Sequence, residues 1–550
     1  MSRFRLHLRG SKLVPVYDTR FGTATDSSGW ITFGLHSGNR RVWLDSSRAD
    51  DTGDGLSAAT AKKTFDAAFA VFTGAGFTSG DQFMIAGGSG GGTYTDNKAS
   101  GNWTLNNGLS ATYPTAVLSY DRADPTNSAK YGKLVGSQMP SITLATTSSS
   151  FELSSENGGA ANYFFIQGIE FTAANTGGIA INWVLRHNGC GVQNCRFNLV
   201  SLGMDNAGSS LGLNQNCHVS KSSFAGQWSS TTAVALYIGG HDGLYWEDNV
   251  FAHCGWKIVA GSVNTRGTTG TNGDPNQFSH AFYYHASGIN GRAQRILGID
   301  SAHDSLNFRG WVDSNCCVAL DDPYAATLGG FSNSYTEAPT GVDQHHLDHL
   351  WMGGANMTAT SNDGNGGITT NTRSGSYLRN VVAIDNPTKA DGFNSLVFPH
   401  CDDVNQIDQY LLMDKVRAYQ YAAGLETSGT TNNTKIHDSW TNCIVDATTP
   451  VSLNTTLTNV SIQNGAVTYP NKLTRDQIIT NLLTAIGITP SGTSYLARKS
   501  QLVNIALWRP DQPWAQMLID IAFPAYGAVP SYQTATVPNL SSESPRAVYA

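Results

Sequence analysis

The chain has 550 residues, of which only 14% are charged and 58 are glycine, and its formal net charge is -7. That balance lacks the basic stripe a nucleic-acid partner requires, and no run of 18 apolar residues provides a membrane span. Its eight cysteines are too few and too scattered for a disulfide framework and show no CxxC spacing, so all are expected to be reduced core residues, with no bound metal and no cofactor.

Residues 1–41 read as a strand-rich lead segment, with short alternations at Phe4, Leu6 and Leu8 and at Trp30, Thr32 and Gly34. The charged start Met1–Arg9 is followed by no apolar stretch. A secretory leader is therefore not expected, and the chain is expected to leave the cytoplasm by another route if it leaves. After Val42-Trp-Leu-Asp45 comes an acidic turn whose Asp50, Asp51 and Asp54 are expected to order the backbone rather than hold calcium. Phe65, Ala68, Phe69 and Phe72 then share one face of an amphipathic helix that Gly74 terminates. A single helix ahead of a strand stack is expected to cover its open apolar end. The strand Asp81–Ile85 leads into Gly87-Gly-Ser-Gly-Gly-Gly92, which precedes no helix and reads as a flexible turn rather than a phosphate loop.

The middle of the chain is periodic. Phe171, Phe197, Phe224 and Phe251 stand 26, 27 and 27 residues apart and each closes a similar heptapeptide. A period of this length without an intervening helix pattern describes a solenoid of short strands, each coil burying its apolar face against its neighbours. Further strands are expected at 295–299, 311–312, 346–351, 377–384, 407–412, 436–445 and 457–462, with irregular spacing that implies insertions at the turns. Cys316 and Cys317 should point to opposite faces of a strand. From 470 to 550 the pattern changes to a helical stripe (Ile478, Ile479, Leu482, Leu483, Ile486), an aromatic stretch and a Pro/Ser tail. This reads as a C-terminal cap whose tail reaches a neighbouring subunit.

Two blocks carry a family resemblance. Val42-Trp-Leu-Asp45 with Gly53-Asp-Gly-Leu-Ser57 and Ala59–Ala68 resembles the entry into right-handed parallel β-helix proteins of the pectate-lyase-like superfamily. Asp248–Trp256, Ser279-His-Ala-Phe-Tyr283 and Asp304–Gly310 resemble a recurrent block of the same superfamily. The resemblance covers about residues 42–465 and implies an all-β, right-handed parallel β-helix with an N-terminal cap helix and a C-terminal helical cap. Its members include lyases, hydrolases, esterases and plain binders. Together with the lead and tail segments, it makes the chain similar to phage tailspikes, and so implies a virion location, homotrimers and attachment to other virion proteins through residues 1–41.

Functional side chains are densest between 241 and 322. Successive coils place equivalent positions about 4.8 Å apart, so residues one turn apart can meet on one face. β-Elimination in a polyuronate needs a base, an acid and a cation for the carboxylate, which His280, Tyr283 and Arg309 would supply, with His303 and Asp304 beside them. Trp256, His285, Trp311, Asp321, Asp322 and Tyr324 are the expected sugar-binding residues. The bland reading is that inward His and Tyr satisfy turn carbonyls and that Arg309 braces the next turn. A hydrolase would instead need paired carboxylates, for which Asp304 with Asp321 or Asp322, and Asp242 with Glu247, are the candidates. His345-His-Leu-Asp-His349 splits its ligands between two strand faces and makes a poor metal site.

The expectation is thus a lead segment (1–41), a β-helix (42–469) and a C-terminal cap with tail (470–550), acting as a phage-type spike that binds and depolymerises host-surface polysaccharide as a lyase or hydrolase. The alternatives are a non-enzymatic adhesin and a non-classically exported bacterial polysaccharide lyase.

Overall fold

The computed structural model describes residues 24–97, 102–145, 150–155, 161–173, 179–183, 187–205, 214–226, 234–255, 280–285, 288–301, 304–322, 324–329, 345–353, 368–371, 376–384, 395–399, 411–425, 439–449, 456–457, 460–463, 471–529 and 534–545. Its strands wind into one long parallel β-helix. A continuous inward column of the first sheet runs Val42, Phe83, Val117, Ile166, Val192, Val219, Trp246, Ala293, Ser314, Leu347, Leu378, Met413 and Trp440, each paired with the next. All but Ser314 belong to one apolar core. The second sheet carries the phenylalanine repeat: Phe171, Phe197, Phe224 and Phe251 are register partners, with ring centroids 5.6, 4.7 and 5.0 Å apart and planes within 18°. A third sheet contains Leu236–Gly239, Phe282–Tyr284, Asp304–Phe308 and Tyr324–Gly329.

The repeat works because the corner between the first two sheets is the same in successive coils. One residue there adopts a left-handed backbone: Gly168, Asn194, Lys221, Asp248, Arg295, Cys316, Asn380, Lys415 and Asn442, with φ between 49° and 76°. Glycine and asparagine occupy such positions readily, whereas other side chains there cost about 1–2 kcal/mol. At Gly168 space adds to the φ requirement, since a Cβ would lie 2.2 Å from Ser119 Oγ.

The first helix, α1 (Phe65–Thr73), is capped by Thr64, whose Oγ1 accepts from Ala67 N. It lays Phe65, Phe69 and Phe72 against Phe83, and Phe65 and Phe69 against Trp103, closing the apolar end of the first coils. Before it, Asp50, Asp51 and Asp54 bond Thr52, Lys63, Thr64, Leu56 and Thr60, so they do order a turn. Residues 24–33 of the lead segment form a two-strand hairpin that lies on the outside of the first sheet. Ile31 bonds the side chains of Gln167 and Gln193, and Phe33 packs on Phe165.

Three C-terminal helices, α2 (Arg475–Ala485), α3 (Tyr495–Trp508) and α4 (Trp514–Ala525), lie along the outside of the second sheet. That outer face is apolar (Ala225, Val250, Ala252, Leu297, Ile299, Cys316, Val318, Leu320, Val382 and Ile384) and shares one cluster with the helices. Cys316 therefore faces the helices while Cys317 lies in the inner core, the opposite facing that alternation requires. Ser223 Oγ donates to Leu507 O at 2.9 Å, and Arg196 lies 4.1 Å over the Trp508 ring. Residues 534–545 of the expected tail lie against the chain's own helices. Leu540 is buried against them, its N donates to Ile486 O at 2.7 Å, and Glu543 pairs with Arg509. Among the described residues the seven cysteines are all free and buried, and no helix is long and apolar enough to cross a membrane.

Phe224, wholly buried between two stacked rings, is expected to cost about 3–5 kcal/mol when replaced by alanine, measured by chemical denaturation. Lys415→Gly at its exposed corner (φ 56°) is expected to raise stability by up to about 1 kcal/mol and Lys415→Val to lower it, because glycine relieves the left-handed conformation and a β-branched side chain worsens it.

Candidate functional site

The outer face of the third sheet differs from the other two. Among the described residues neither the helices nor the hairpin packs against it. Strand alternation sends Leu236, Phe282, Leu306 and Ala326 into the core and turns Tyr237, Tyr283, Asn307 and Thr327 outward, in register over four coils. The Tyr237 and Tyr283 rings stack at 5.3 Å with planes 7° apart, and both are half-buried.

His280 enters this sheet one coil before Asp304, and the two meet: His280 Nδ1 lies 2.6 Å from Asp304 Oδ1. A carboxylate only accepts, so Nδ1 donates and the ring is held in the tautomer whose Nε2 is basic. Asp304 is fully buried. Its other oxygen accepts from Thr327 Oγ1 at 2.6 Å and Asn307 Nδ2 at 3.2 Å. The 3.1 Å approach of Asn307 Nδ2 to His280 Nδ1 is then a contact between two donors that converge on one carboxylate. The His280 and Tyr283 ring centroids lie 5.2 Å apart. Arg309 Nη1 donates to Tyr283 Oη at 2.8 Å, an arrangement that stabilises negative charge developing on the phenol oxygen during proton transfer. Gly310 permits the turn after Arg309, since a Cβ there would meet His285 O at 2.6 Å.

His285 completes the cluster, 6.1 Å from Tyr283 and 6.4 Å from Tyr237 between ring centroids. Burial, reinforced by the Arg309 charge, lowers its pKa to about 4, so the ring is neutral near pH 7.

The sequence-predicted residues thus divide. His280, Tyr283, Asp304, Arg309 and His285 come together on one face. Trp311 follows in the next turn, half-buried, with its indole N–H lacking a hydrogen-bond partner among the described residues. Asp321 and Asp322 do not join them. Asp321 accepts from Lys499 Nζ at 2.7 Å and Tyr495 Oη at 2.9 Å and pairs with Arg475, which ties it to α2 and α3. Asp322 accepts from Ser301 N at 2.7 Å, and burial near Asp321 and Asp304 pushes its carboxyl well above the usual range. Both serve the frame. Of the other paired carboxylates, Asp242 accepts from Asn290 and Glu247 from Tyr245. His303, Trp256 and the side chains of Tyr324, His345, His346 and His349 lie outside the described residues. Sequence reading missed Tyr237, Asn307 and Thr327. Asn307 was detectable, because it follows Tyr283 by about one repeat within a block already singled out.

No protein-family model matches the chain and no curated protein matches it. Among solved structures it is similar to the pectate lyase Pel9A (12% identity, TM-score 0.34, covering 87% of this chain and 89% of that one). It is also similar to the catalytic unit of a GH87 alpha-1,3-glucanase from Streptomyces thermodiastaticus strain HF3-3 (10%, 0.45, 79% and 70%). A third is a tailspike mutant of E. coli bacteriophage HK620 in complex with pentasaccharide (11%, 0.32, 80% and 64%). These likenesses concern the course of the chain and assign no site.

Because His285 is neutral when folded but takes a proton near pH 6.5 when unfolded, its contribution to stability is complete above that pH and is lost as pH falls toward about 4. His285→Asn is therefore expected to show a smaller loss of melting temperature than the parent between pH 7 and 4, read by thermal unfolding at stepped pH.

Proposed function

We propose that this chain cleaves an acidic polysaccharide by β-elimination on the outer face of its third sheet. The observation that carries the reading is the meeting, on adjacent coils, of an oriented His280–Asp304 pair with an Arg309–Tyr283 pair. In this reading His280 Nε2 removes the proton α to the uronate carboxylate, and Arg309 supplies positive charge for the enolate that forms. Tyr283 protonates the leaving glycosidic oxygen. Asp304 is a positioning residue that holds the imidazole tautomer, and the Tyr237–Tyr283 stack is the platform for a sugar ring. The hydrolase alternative has less support, since Asp304 is occupied by three donors and Asp321 is bound to the helices.

The same proposal places the protein on a surface that meets host glycans, as a spike of the virion type working as a homotrimer, with attachment through the lead segment 1–41. Because the outer face of the second sheet is covered by the chain's own helices, contacts between copies would use other faces. Light scattering is expected to give three times the chain mass; a monomer removes the spike part and leaves a free lyase.

Incubation with polyuronates and uronate-containing capsular polysaccharides is expected to release products with the ultraviolet absorbance of a conjugated unsaturated uronate. His280→Ala and Tyr283→Phe should each lower turnover by about 10²–10⁴-fold while retaining binding. New reducing ends without that absorbance would replace elimination by hydrolysis. Tight binding with no shortening of the polysaccharide would make the protein an adhesin.

A further inference from the structure

Between the third sheet and the first, four coils carry a short extra ladder: Ala161–Asn162, His187–Asn188, Asn214–Gln215 and His241–Asp242. Asn188 pairs with Gln215 and Asn214 pairs with His241, so His187, Asn214 and His241 hold one position on three successive coils. All three are fully buried. The two histidines reach across the intervening coil until their Nε2 atoms stand 3.1 Å apart. Cys217, also fully buried, belongs to the same group: its Sγ and the two imidazoles offer ligand atoms that all lie within 4.8 Å of one another.

Several features make this cluster more than a hydrogen bond between two rings. In a tetrahedral zinc site with Zn–N near 2.0–2.1 Å the ligand nitrogens lie about 3.3 Å apart, close to the separation here. His241 Nδ1 lies 2.7 Å from Gly239 O, and a carbonyl only accepts, so that nitrogen carries the proton and Nε2 presents its lone pair to His187. A backbone carbonyl on the far nitrogen is the usual orienting partner of a metal-bound histidine. Asn214, between the two rings in the ladder, has a buried Nδ2 with no hydrogen-bond partner among the described residues, and a metal-bound water would give it one. Burying such a group unpaired is unfavourable, and the adjoining positions Val192, Val219 and Leu244 are apolar.

We propose that His187, Cys217 and His241 form a buried transition-metal site, with zinc the ion that two imidazoles and one thiolate suit best. Binding displaces the proton of the Cys217 thiol, and the ion then joins three successive coils from inside. Its role is structural and independent of the face that carries Tyr283. The metal enters as the coils close, since all three ligands are shielded from solvent.

The test uses the full chain, purified from zinc-supplemented cells and also refolded in cobalt(II). We expect about one zinc per chain by elemental analysis, a thiolate-to-cobalt charge-transfer band in the near ultraviolet, and loss of that band in Cys217→Ser. Refolding with a chelator should lower the melting temperature relative to refolding with zinc. A parent protein that carries no metal by both routes, or a cobalt complex without the thiolate band, overturns the proposal. If Cys217→Ser does not fold, the cobalt spectrum of the parent decides alone.

Discussion

The structure depends on each coil returning its side chains to the same place above the coil before. Parallel backbone pairing sets the vertical step, but the lateral position is set at the corners, and in nine coils a left-handed residue turns the chain from the first sheet into the second. Where that corner recurs, Phe197 lands on Phe171 and Phe224 lands on Phe197 with nearly parallel rings. The constraint is geometric and tolerant of composition, because glycine, asparagine, lysine, arginine and cysteine all fill the corner in one coil or another.

A stack built this way has three outer faces, and the chain treats them differently. The first receives the lead hairpin through Gln167, Gln193 and Phe165. The second is apolar and is covered by the C-terminal helices, with Asp321 buried beneath them as the common partner of Arg475, Tyr495 and Lys499. The third presents aromatic rings beside a buried, hydrogen-bonded carboxylate. Rigidity on two faces holds in place the side chains of the third, which is what proton transfer between closely spaced groups requires.

Much of this was legible in the sequence. Identical phenylalanines at a fixed interval report their own superposition, and the 3–4 spacing of Phe65, Phe69 and Phe72 reports the helix that closes the first coils. His280, Tyr283, Asp304 and Arg309 were legible because they sit in blocks less than two repeats apart. Tyr237 was not, because the coil joining it to Tyr283 is lengthened beyond the repeat. Asp321 and Asp322, expected among the sugar-binding groups, lie apart from the third-sheet cluster, and the groups that bind Asp321 lie 154 to 178 residues further along. The helical stripe of α2 announced a helix but not its docking site, which is written in the alternate residues of strands far upstream.

The late position of those helices has a consequence for biosynthesis. A ribosome completes Val250, Leu297, Val318 and Val382 long before it reaches α2, α3 and α4, so a strip of apolar side chains stays wet while the coils beneath it can already wind. Throughout that interval the nascent protein is sticky along one side, and release before residue 470 would leave it so permanently. The last seventh of the chain is in that sense its solubility device.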